Sequence, residues 1–287
     1  MTSVCWQITF SPVEEVSEDF TTFLDDFFEV SAQNYQDNGQ DEYVGYTSGV
    51  FDEKKMLQTA EERHLSLPPY KAVELKSENW LKDYVIKFAP FEIADFCIYG
   101  IHEPQAPKTK KIPLQIYAAT AFGSNHQTTR ACITALSELH TQGFSPQEIL
   151  DIGTGSGILS LCAASLWPQA KLIASDIDDE AVIVTESNTR TNHLDAQITT
   201  FVSDGYQNPR IKNLAPYGLI LSNILANPLI AFAKDLAQNL KRGGYCVLSG
   251  FVDNQVDEVV QAHTEQGLEL VKLYSFDNWR AALMKKA

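Results

Sequence analysis

The chain has 287 residues, enough for one large domain or for two, and its 44% of hydrophobic and 21% of charged residues are ordinary for a globular protein. No apolar run approaches the roughly 20 residues that span a bilayer, so a membrane protein is not expected. The formal net charge of −15 disfavours direct binding to nucleic acid, whose phosphates need Lys and Arg, and is compatible with a basic protein partner or with solubility alone.

The cysteines and histidines predict neither disulfides nor a metal site. The five cysteines are scattered without a Cys-x-x-Cys pair, and the six histidines lack the spacing of metal ligands. The first residues, "MTSVCWQITF", lack the basic start and the long apolar core of a signal peptide. We therefore expect a cytoplasmic protein with reduced cysteines and no bound metal, and we expect it to be a monomer.

Residues 1–76 predict a small α+β domain. Its pattern runs strand, helix, strand, strand, helix, strand, with strands at 3–10, 28–36, 42–50 and 70–76 and helices at 14–27 and 51–64. Asp52 is the expected N-cap of the second helix. This order is the split βαβ of a ferredoxin-like domain, and about 75 residues suit such a module.

Residues 77–117 predict a connecting region. The segment "ENWLKDYVIKF" is typical of a short helix, whereas "FEIADFCIYG" and "IPLQIYA" are typical of strands. A Pro/Lys-rich stretch, "EPQAPKTKK", separates the two strands. A solvated loop is expected there rather than a contact surface for a partner.

From residue 118 to residue 287 the pattern alternates between strands and helices. Strands are predicted at 149–152, 171–175, 218–222 and 245–249, with helices such as 180–192 and 229–240 between them. This alternation predicts a doubly wound α/β domain with a mostly parallel sheet. The end, "LELVKLYSF" followed by "WRAALMK", predicts a closing hairpin that adds an antiparallel strand.

The stretch "EILDIGTGSGILSL" predicts a buried strand, a tight glycine turn and the start of a helix. Glycines at 153, 155 and 157 permit backbone N–H groups to approach a ligand, because they have no Cβ. A dinucleotide-binding turn has the spacing Gly-x-Gly-x-x-Gly, and a Walker phosphate loop ends in Gly-Lys-Ser/Thr. The spacing here, Gly-x-Gly-x-Gly, matches neither and resembles the first motif of class I S-adenosylmethionine-dependent methyltransferases.

Two polar side chains are predicted at the ends of neighbouring strands. Asp176 ends the strand in "KLIASDIDDEAV", where its carboxylate can accept hydrogen bonds from both ribose hydroxyls of a nucleoside. Asn223 ends the strand in "PYGLILSNILANPL", where its carbonyl oxygen can orient an amine nucleophile. Ligands of open α/β sheets bind at the carboxyl ends of strands, so both side chains are candidate site residues.

A further polar cluster precedes the helix in "ATAFGSNHQTTRACITAL". Ser124, Asn125, Thr128 and Thr129 predict the N-terminal cap of that helix, and a helix N-terminus attracts carboxylates. His126 is a candidate base, but a structural hydrogen-bonding role is favoured.

The segments "AFGSNHQTT", "LDIGTGSGIL", "ASDIDDEAV", "NILANPL" and "GGYCVLSGF" occur in an order and spacing that resemble the ribosomal protein L11 methyltransferase family, PrmA. The resemblance covers about residues 85–287, and residues 1–76 match in layout only. It implies S-adenosylmethionine as cofactor and methylation of lysine ε-amines and of the N-terminal α-amine of ribosomal protein L11. It also implies that the small N-terminal domain recognises this substrate. The implied donor contacts are Thr129, Gly153, Asp176 and Asn223, with Gly155 and Gly157 in the same turn and Asp204 at the adenine amine.

One segment departs from the family pattern. The family has Ala-Phe-Gly-Thr-Gly-x-His-x-Thr-Thr, whereas residues 121–129 are one residue shorter and lack the second glycine. Two alternatives therefore stay open beside L11 methylation: methylation of another protein lysine or a small amine, and a non-catalytic donor-binding protein that docks on L11. A dehydrogenase is disfavoured because the third glycine is displaced.

Overall fold

The computed structural model describes residues 5–11, 16–28, 30–34, 42–48, 51–75, 88–117 and 127–287. Contacts within the chain divide it into two units, Met1–Tyr84 and Val85–Ala287. The second unit thus takes in residues 88–117, which the sequence assigned to a connecting region. None of the helices in the described ranges has the length and hydropathy of a membrane-spanning segment.

The first unit is a four-stranded antiparallel sheet with two helices. Its elements, in chain order, are β1 (Cys5–Phe10), α1 (Glu18–Phe27), β2 (Val30–Asn34), β3 (Glu42–Ser48), α2 (Glu53–Glu62) and β4 (Tyr70–Leu75). The strand order is β2-β3-β1-β4, and each described pair is antiparallel. This is the element order that the sequence predicts for a ferredoxin-like domain.

Side-chain caps and an aromatic core account for the two helices of this unit. The Ser17 hydroxyl accepts a hydrogen bond from the Phe20 N–H at the start of α1, and the Asp52 carboxylate accepts one from the Lys55 N–H at the start of α2. The predicted cap at Asp52 is therefore confirmed. Apolar residues from both helices pack with Ile8 and Phe10 of β1 in one core. The helix predicted within 77–117, at 78–88, lies outside the described residues except for its last position.

The second unit begins with a small sheet that shares the core of the unit. Strands β5 (Phe91–Ile93), β6 (Phe96–Gly100) and β7 (Ile112–Ile116) pair in that order, β5 with β6 antiparallel and β6 with β7 parallel. Phe96 and Leu114 are buried in the same apolar cluster as Ile149 and Leu219 of the larger sheet. This stretch is therefore part of the folded second unit.

Seven strands form the main sheet. They are β8 (Glu148–Ile152), β9 (Lys171–Asp176), β10 (Ile198–Val202), β11 (Tyr217–Asn223), β12 (Leu240–Val252), β13 (Leu268–Phe276) and β14 (Trp279–Lys286). Their order is β10-β9-β8-β11-β12-β14-β13, in which only the pairs that involve β14 are antiparallel. The predicted doubly wound sheet with a closing antiparallel hairpin is confirmed.

Helices cover both faces of this sheet. They are α3 (Gln127–Thr141), α4 (Ile158–Leu166), α5 (Asp179–Thr191), α6 (Pro209–Leu214), α7 (Ala226–Ala231), α8 (Ala233–Asn239) and α9 (Val256–Thr264). Successive residues of β8 bury their side chains in different clusters, Ile149 in one and Leu150 in the other. This alternation is what a strand covered on both faces requires.

One helix differs from its prediction, and one strand was not predicted. The single helix predicted over 229–240 is the pair α7 and α8, because Phe232 between them has ψ near 0° and interrupts the helical ladder. Strand β10 was not predicted, since Ile198 and Phe201 are buried while Val202 is exposed, and this spacing does not follow the two-residue alternation of a strand.

His263 in α9 makes the stability of the second unit sensitive to acid. Its ring is fully buried, Nδ1 lies 2.8 Å from the Val259 carbonyl oxygen, and Nε2 has no hydrogen-bond partner in the part of the chain that the structure describes. Burial lowers the pKa of His263, although the bond to Val259 opposes this shift. The unfolded chain therefore binds a proton at His263 at a higher pH than the folded protein does, so stability falls as the pH drops through about 6.5.

The variant His263→Leu removes this titration while it keeps an apolar side chain of similar size. From about pH 7.5 to about pH 5.5, wild type should lose more of its free energy of unfolding than the variant loses. Urea unfolding of both proteins across this range measures the difference. A difference that stays constant with pH would contradict the assignment.

Candidate active site

A cavity of about 580 Å³ lies at the carboxyl ends of β8, β9 and β11. Its size is within the range of small-molecule sites. The glycine turn after β8 forms one wall, and the strand ends at Asp176 and Asn223 contribute polar groups. Thr128 and Thr129 in the first turn of α3 also line it. The cavity therefore occupies the edge of the sheet where ligands of doubly wound folds bind.

The glycine turn adopts a backbone that other residues rarely adopt. Gly153, Gly155 and Gly157 have φ angles of 73°, 57° and 78°. A Cβ on Gly153 would lie 2.1 Å from Cγ2 of Ile224, and one on Gly157 would lie 2.8 Å from Cγ2 of Thr185. The positive φ angles and the lack of room for a Cβ both favour glycine at these two positions. The result is a bare backbone surface beside the cavity, on which a ligand can lie close to the chain.

Asp176 faces this turn from the end of β9. Its Oδ2 accepts a hydrogen bond of 2.9 Å from the Gly155 N–H, and its Oδ1 accepts one of 3.2 Å from the Asp178 N–H. These bonds fix the carboxylate at the rim of the cavity, where it remains partly exposed. A partly exposed carboxylate held in this way can accept further hydrogen bonds from a pair of ligand hydroxyls.

Asn223 joins the end of β11 to the start of α3. Its Nδ2 donates a hydrogen bond of 3.3 Å to the Thr129 hydroxyl, and both residues line the cavity. Because Nδ2 is engaged in this way, the amide of Asn223 has a defined orientation beside the cavity. Next along the chain, Ile224 and the largely exposed Leu225 add apolar walls.

The structure brings together most of the predicted site residues. Thr129, Gly153, Gly155, Asp176 and Asn223 line one cavity. Gly157 instead begins α4 as its N-cap residue.

Asp204 is not among the described residues that line the cavity. It lies after β10, exposed to solvent, and its proposed contact with adenine stays a prediction. Ser124, Asn125 and His126 fall outside the described residues.

Several wall residues were not predicted as site residues. Gly250, at the end region of β12, and Trp279, at the start of β14, line the same cavity as Asn223. Gly250 lies within the quoted family segment "GGYCVLSGF", which was not assigned to the site, and Trp279 has no local sequence signal. Both reach the cavity through strand pairing. Ile224 and Leu225 lie within the quoted segment "NILANPL", so a polar strand end followed by apolar residues was the available signal for these two.

A buried carboxylate on β8 stabilises the glycine turn by hydrogen bonding. Asp151 in β8 is 1% exposed, and its Oδ2 accepts hydrogen bonds of 2.9 Å from the Thr154 hydroxyl and 2.6 Å from the Ser160 hydroxyl. Burial raises the pKa of Asp151 to about 6, against the opposite effect of these two bonds. One side chain thus connects the strand, the turn and α4.

Comparisons with known proteins agree with this geometry. A model of the family described as ribosomal protein L11 methyltransferase (PrmA) matches residues 11–287. A ribosomal protein L11 methyltransferase of Brucella suis is 34% identical over 212 residues, which cover 74% of each chain. One of Bradyrhizobium diazoefficiens is 32% identical over 213 residues, 74% of this chain and 72% of the other.

A solved structure shares the fold. The ribosomal protein L11 methylase of Lactobacillus delbrueckii subsp. bulgaricus superposes with a TM-score of 0.62 at 23% identity. The match covers 70% of this chain and 100% of the other. At this identity the likeness concerns the fold alone.

Substitution of Gly250 tests how tightly the cavity wall is packed. It has a φ of 98°, and an added Cβ would lie 2.0 Å from the backbone oxygen of Ile224. Gly250→Ala should therefore displace the Ile224–Leu225 wall as well as strain its own backbone. Gly243→Ala is the matched control, because Gly243 has a φ of 74° but no heavy atom within 4 Å of an added Cβ. The control should lose only the backbone strain, about 1–2 kcal/mol, and Gly250→Ala should lose more. Urea unfolding measures both values, and equal losses would contradict a tight wall.

Proposed function

The chain belongs to the ribosomal protein L11 methyltransferase (PrmA) family, and we propose that it transfers methyl groups from S-adenosylmethionine to ribosomal protein L11. The acceptors in this proposal are lysine ε-amines and the N-terminal α-amine. One observation carries it: a single cavity gathers the glycine turn, the Asp176 carboxylate and the Asn223 amide at adjacent strand ends.

The residues around the cavity fit this donor. A bare glycine backbone leaves room for the donor close to the chain, and the Asp176 carboxylate suits the two hydroxyls of its ribose. Thr129 lies in the first turn of α3, where the positive end of the helix dipole favours a carboxylate such as that of methionine. Asp204 is assigned to the adenine amine on the family pattern. When bound, S-adenosylmethionine supplies a methyl group that its sulfonium already activates.

The protein then has to present a neutral amine in line with that methyl group. A free lysine has a pKa of about 10.4 and is mostly charged at neutral pH. The apolar walls formed by Ile224, Leu225 and Trp279 disfavour a charged amine in the cavity, so the neutral form is favoured there. Asn223 is the residue assigned to orient the amine, since its Nδ2 is held by Thr129. Catalysis in this proposal rests on proximity and orientation, without a dedicated base.

The first unit is assigned to recognition of the protein substrate. Its ferredoxin-like layout agrees with the family resemblance, and the net charge of −15 favours a basic partner. We assign the protein to the cytoplasm, where ribosomal proteins are substrates, and to a monomeric state that light scattering of the purified chain tests.

Intact mass spectrometry tests the proposal. The purified chain is incubated with S-adenosylmethionine and unmodified L11, and the product is then mapped by peptide. We expect mass gains in whole methyl units on lysines and on the N-terminus, blocked by S-adenosylhomocysteine. A chain without residues 1–84 is the control for recognition: it should bind the donor and leave L11 unmodified. Donor binding without any gain would redirect the proposal to another amine or to a docking protein, and no donor binding would refute it.

The variant Asn223→Ala tests the role of the strand end. It should reduce transfer at saturating donor by about 10²-fold or more, because the amine is no longer oriented, and retain much of the donor affinity. Single-turnover methylation measures the first effect and calorimetry with S-adenosylhomocysteine the second. Wild-type turnover in this variant would remove Asn223 from the mechanism.

A further inference from the structure

Helix α5 presents two fully buried polar side chains to the glycine turn. Thr185 and Asn188 are both 0% exposed and lie one helical turn apart, on the face of α5 that packs against the turn. Neither lines the cavity. A buried polar group must find hydrogen-bond partners, so their contacts specify a geometry.

Thr185 contacts two glycines of the turn. Its hydroxyl donates a hydrogen bond of 2.9 Å to the Gly155 carbonyl oxygen. Its methyl group, Cγ2, lies 2.8 Å from the position that a Cβ on Gly157 would occupy. The hydroxyl and the methyl thus have separate functions, one in hydrogen bonding and one in packing, and substitution can separate them.

Asn188 connects the turn to the end of the small sheet. Its Nδ2 donates to the Ser156 carbonyl oxygen at 2.8 Å and to the Tyr117 carbonyl oxygen at 3.0 Å. Its Oδ1 accepts from the Tyr117 N–H at 2.7 Å. The side chain therefore has three partners in two segments that are distant from α5 in sequence.

With these contacts, hydrogen bonds restrain the turn from two elements, β9 and α5. Strand β9 holds its first part, since the N–H groups of Gly153 and Thr154 donate to the Ser175 carbonyl oxygen and that of Gly155 donates to Asp176. The carbonyl oxygens of Gly155 and Ser156 accept hydrogen bonds from the α5 side chains Thr185 and Asn188. Glycine-rich backbone has many accessible conformations, so it needs such restraints to keep one shape.

We infer that Thr185 and Asn188 are positioning residues for the methyl donor, which preorganise the glycine turn so that its backbone and Asp176 are ready to bind. This inference rests on the proposed function. If the turn is already ordered before the donor binds, no binding free energy is lost in ordering it, and the affinity for the donor is higher. Removal of either restraint should then weaken donor binding and leave transfer at saturating donor unchanged.

Substitution of Thr185 separates hydrogen bonding from packing. Thr185→Val keeps a methyl against Gly157 and the side-chain volume but loses the hydroxyl, whereas Thr185→Ser keeps the hydroxyl and loses the methyl. Calorimetry with S-adenosylhomocysteine should show about tenfold weaker binding, or about 1.4 kcal/mol, for the valine variant. The serine variant should bind within about twofold of wild type, or about 0.4 kcal/mol.

Kinetics with L11 supply the second readout. The valine variant should raise KM for S-adenosylmethionine and keep the wild-type kcat. Affinity loss that is greater in the serine variant, or unchanged affinity in the valine variant, would overturn the inference. A failure of wild type itself to bind S-adenosylhomocysteine would instead refute the proposed function, so the two outcomes are distinguishable.

Asn192 provides a matched control for Asn188 on the same helix. Its Oδ1 accepts from the Gln115 N–H at 2.9 Å and its Nδ2 donates to the Gln115 carbonyl oxygen at 2.7 Å, so it holds β7 in the same manner. No described hydrogen bond joins it to the glycine turn. Asn188→Ala should weaken S-adenosylhomocysteine binding about tenfold, while Asn192→Ala should bind as wild type does. Equal weakening by both would mean that the two residues act through general stability, and this too would overturn the inference.

Discussion

The site depends on the parallel pairing of β8 with a neighbour on each side. Strand β9 pairs with it along one edge and β11 along the other, and both run in the same direction as β8. Parallel strands end at the same edge of a sheet, so the residues that follow them are neighbours in space. Gly153 and Asn223, 70 positions apart in sequence, therefore face one cavity with Asp176. The Ser222 hydroxyl reinforces this pairing, since it donates to the Ile152 carbonyl oxygen at 3.1 Å.

The strands determine where the glycine turn lies, and hydrogen bonds from buried polar groups determine its conformation. Asp151 holds the hydroxyls of Thr154 and Ser160 from inside the sheet, and α5 holds the opposite side of the turn. Such groups lose hydration when they are buried, and only hydrogen bonds in the right geometry compensate for that loss. A flexible glycine segment thereby acquires one conformation, while its ligand-facing surface stays free of side chains. The turn thus combines a hydrogen-bonded interior with bare backbone at the surface of the cavity.

The family assignment and the fold carry different information. The matched residues, 11–287, include most of the first unit and all of the second, whereas the similar proteins from Brucella and Bradyrhizobium align over about three quarters of the chain. All five quoted family segments contribute described residues to the cavity, among them Thr129, Gly153, Asp176, Asn223 and Gly250. The segment at 121–126 departs from the family pattern and precedes Thr129 in sequence, so the chain combines family motifs with one local difference in sequence. The family model also covers most of the first unit, although the family segments quoted from the sequence all lie in the second.

The sequence by itself determined the class of fold and the polar groups at the strand ends. Alternation of strands and helices, the spacing of three glycines, and the polar residues at Asp176 and Asn223 are local patterns, because each depends on neighbours within a few positions. The tertiary structure alone decided which distant residues complete the site. Gly250, Trp279, Thr185 and Asn188 reach the turn or the cavity through sheet order and helix packing, and β10 was recognisable only from its pairing with β9. The physical reason is that backbone conformation responds to local side chains, whereas contacts between residues tens of positions apart depend on how the whole sheet packs.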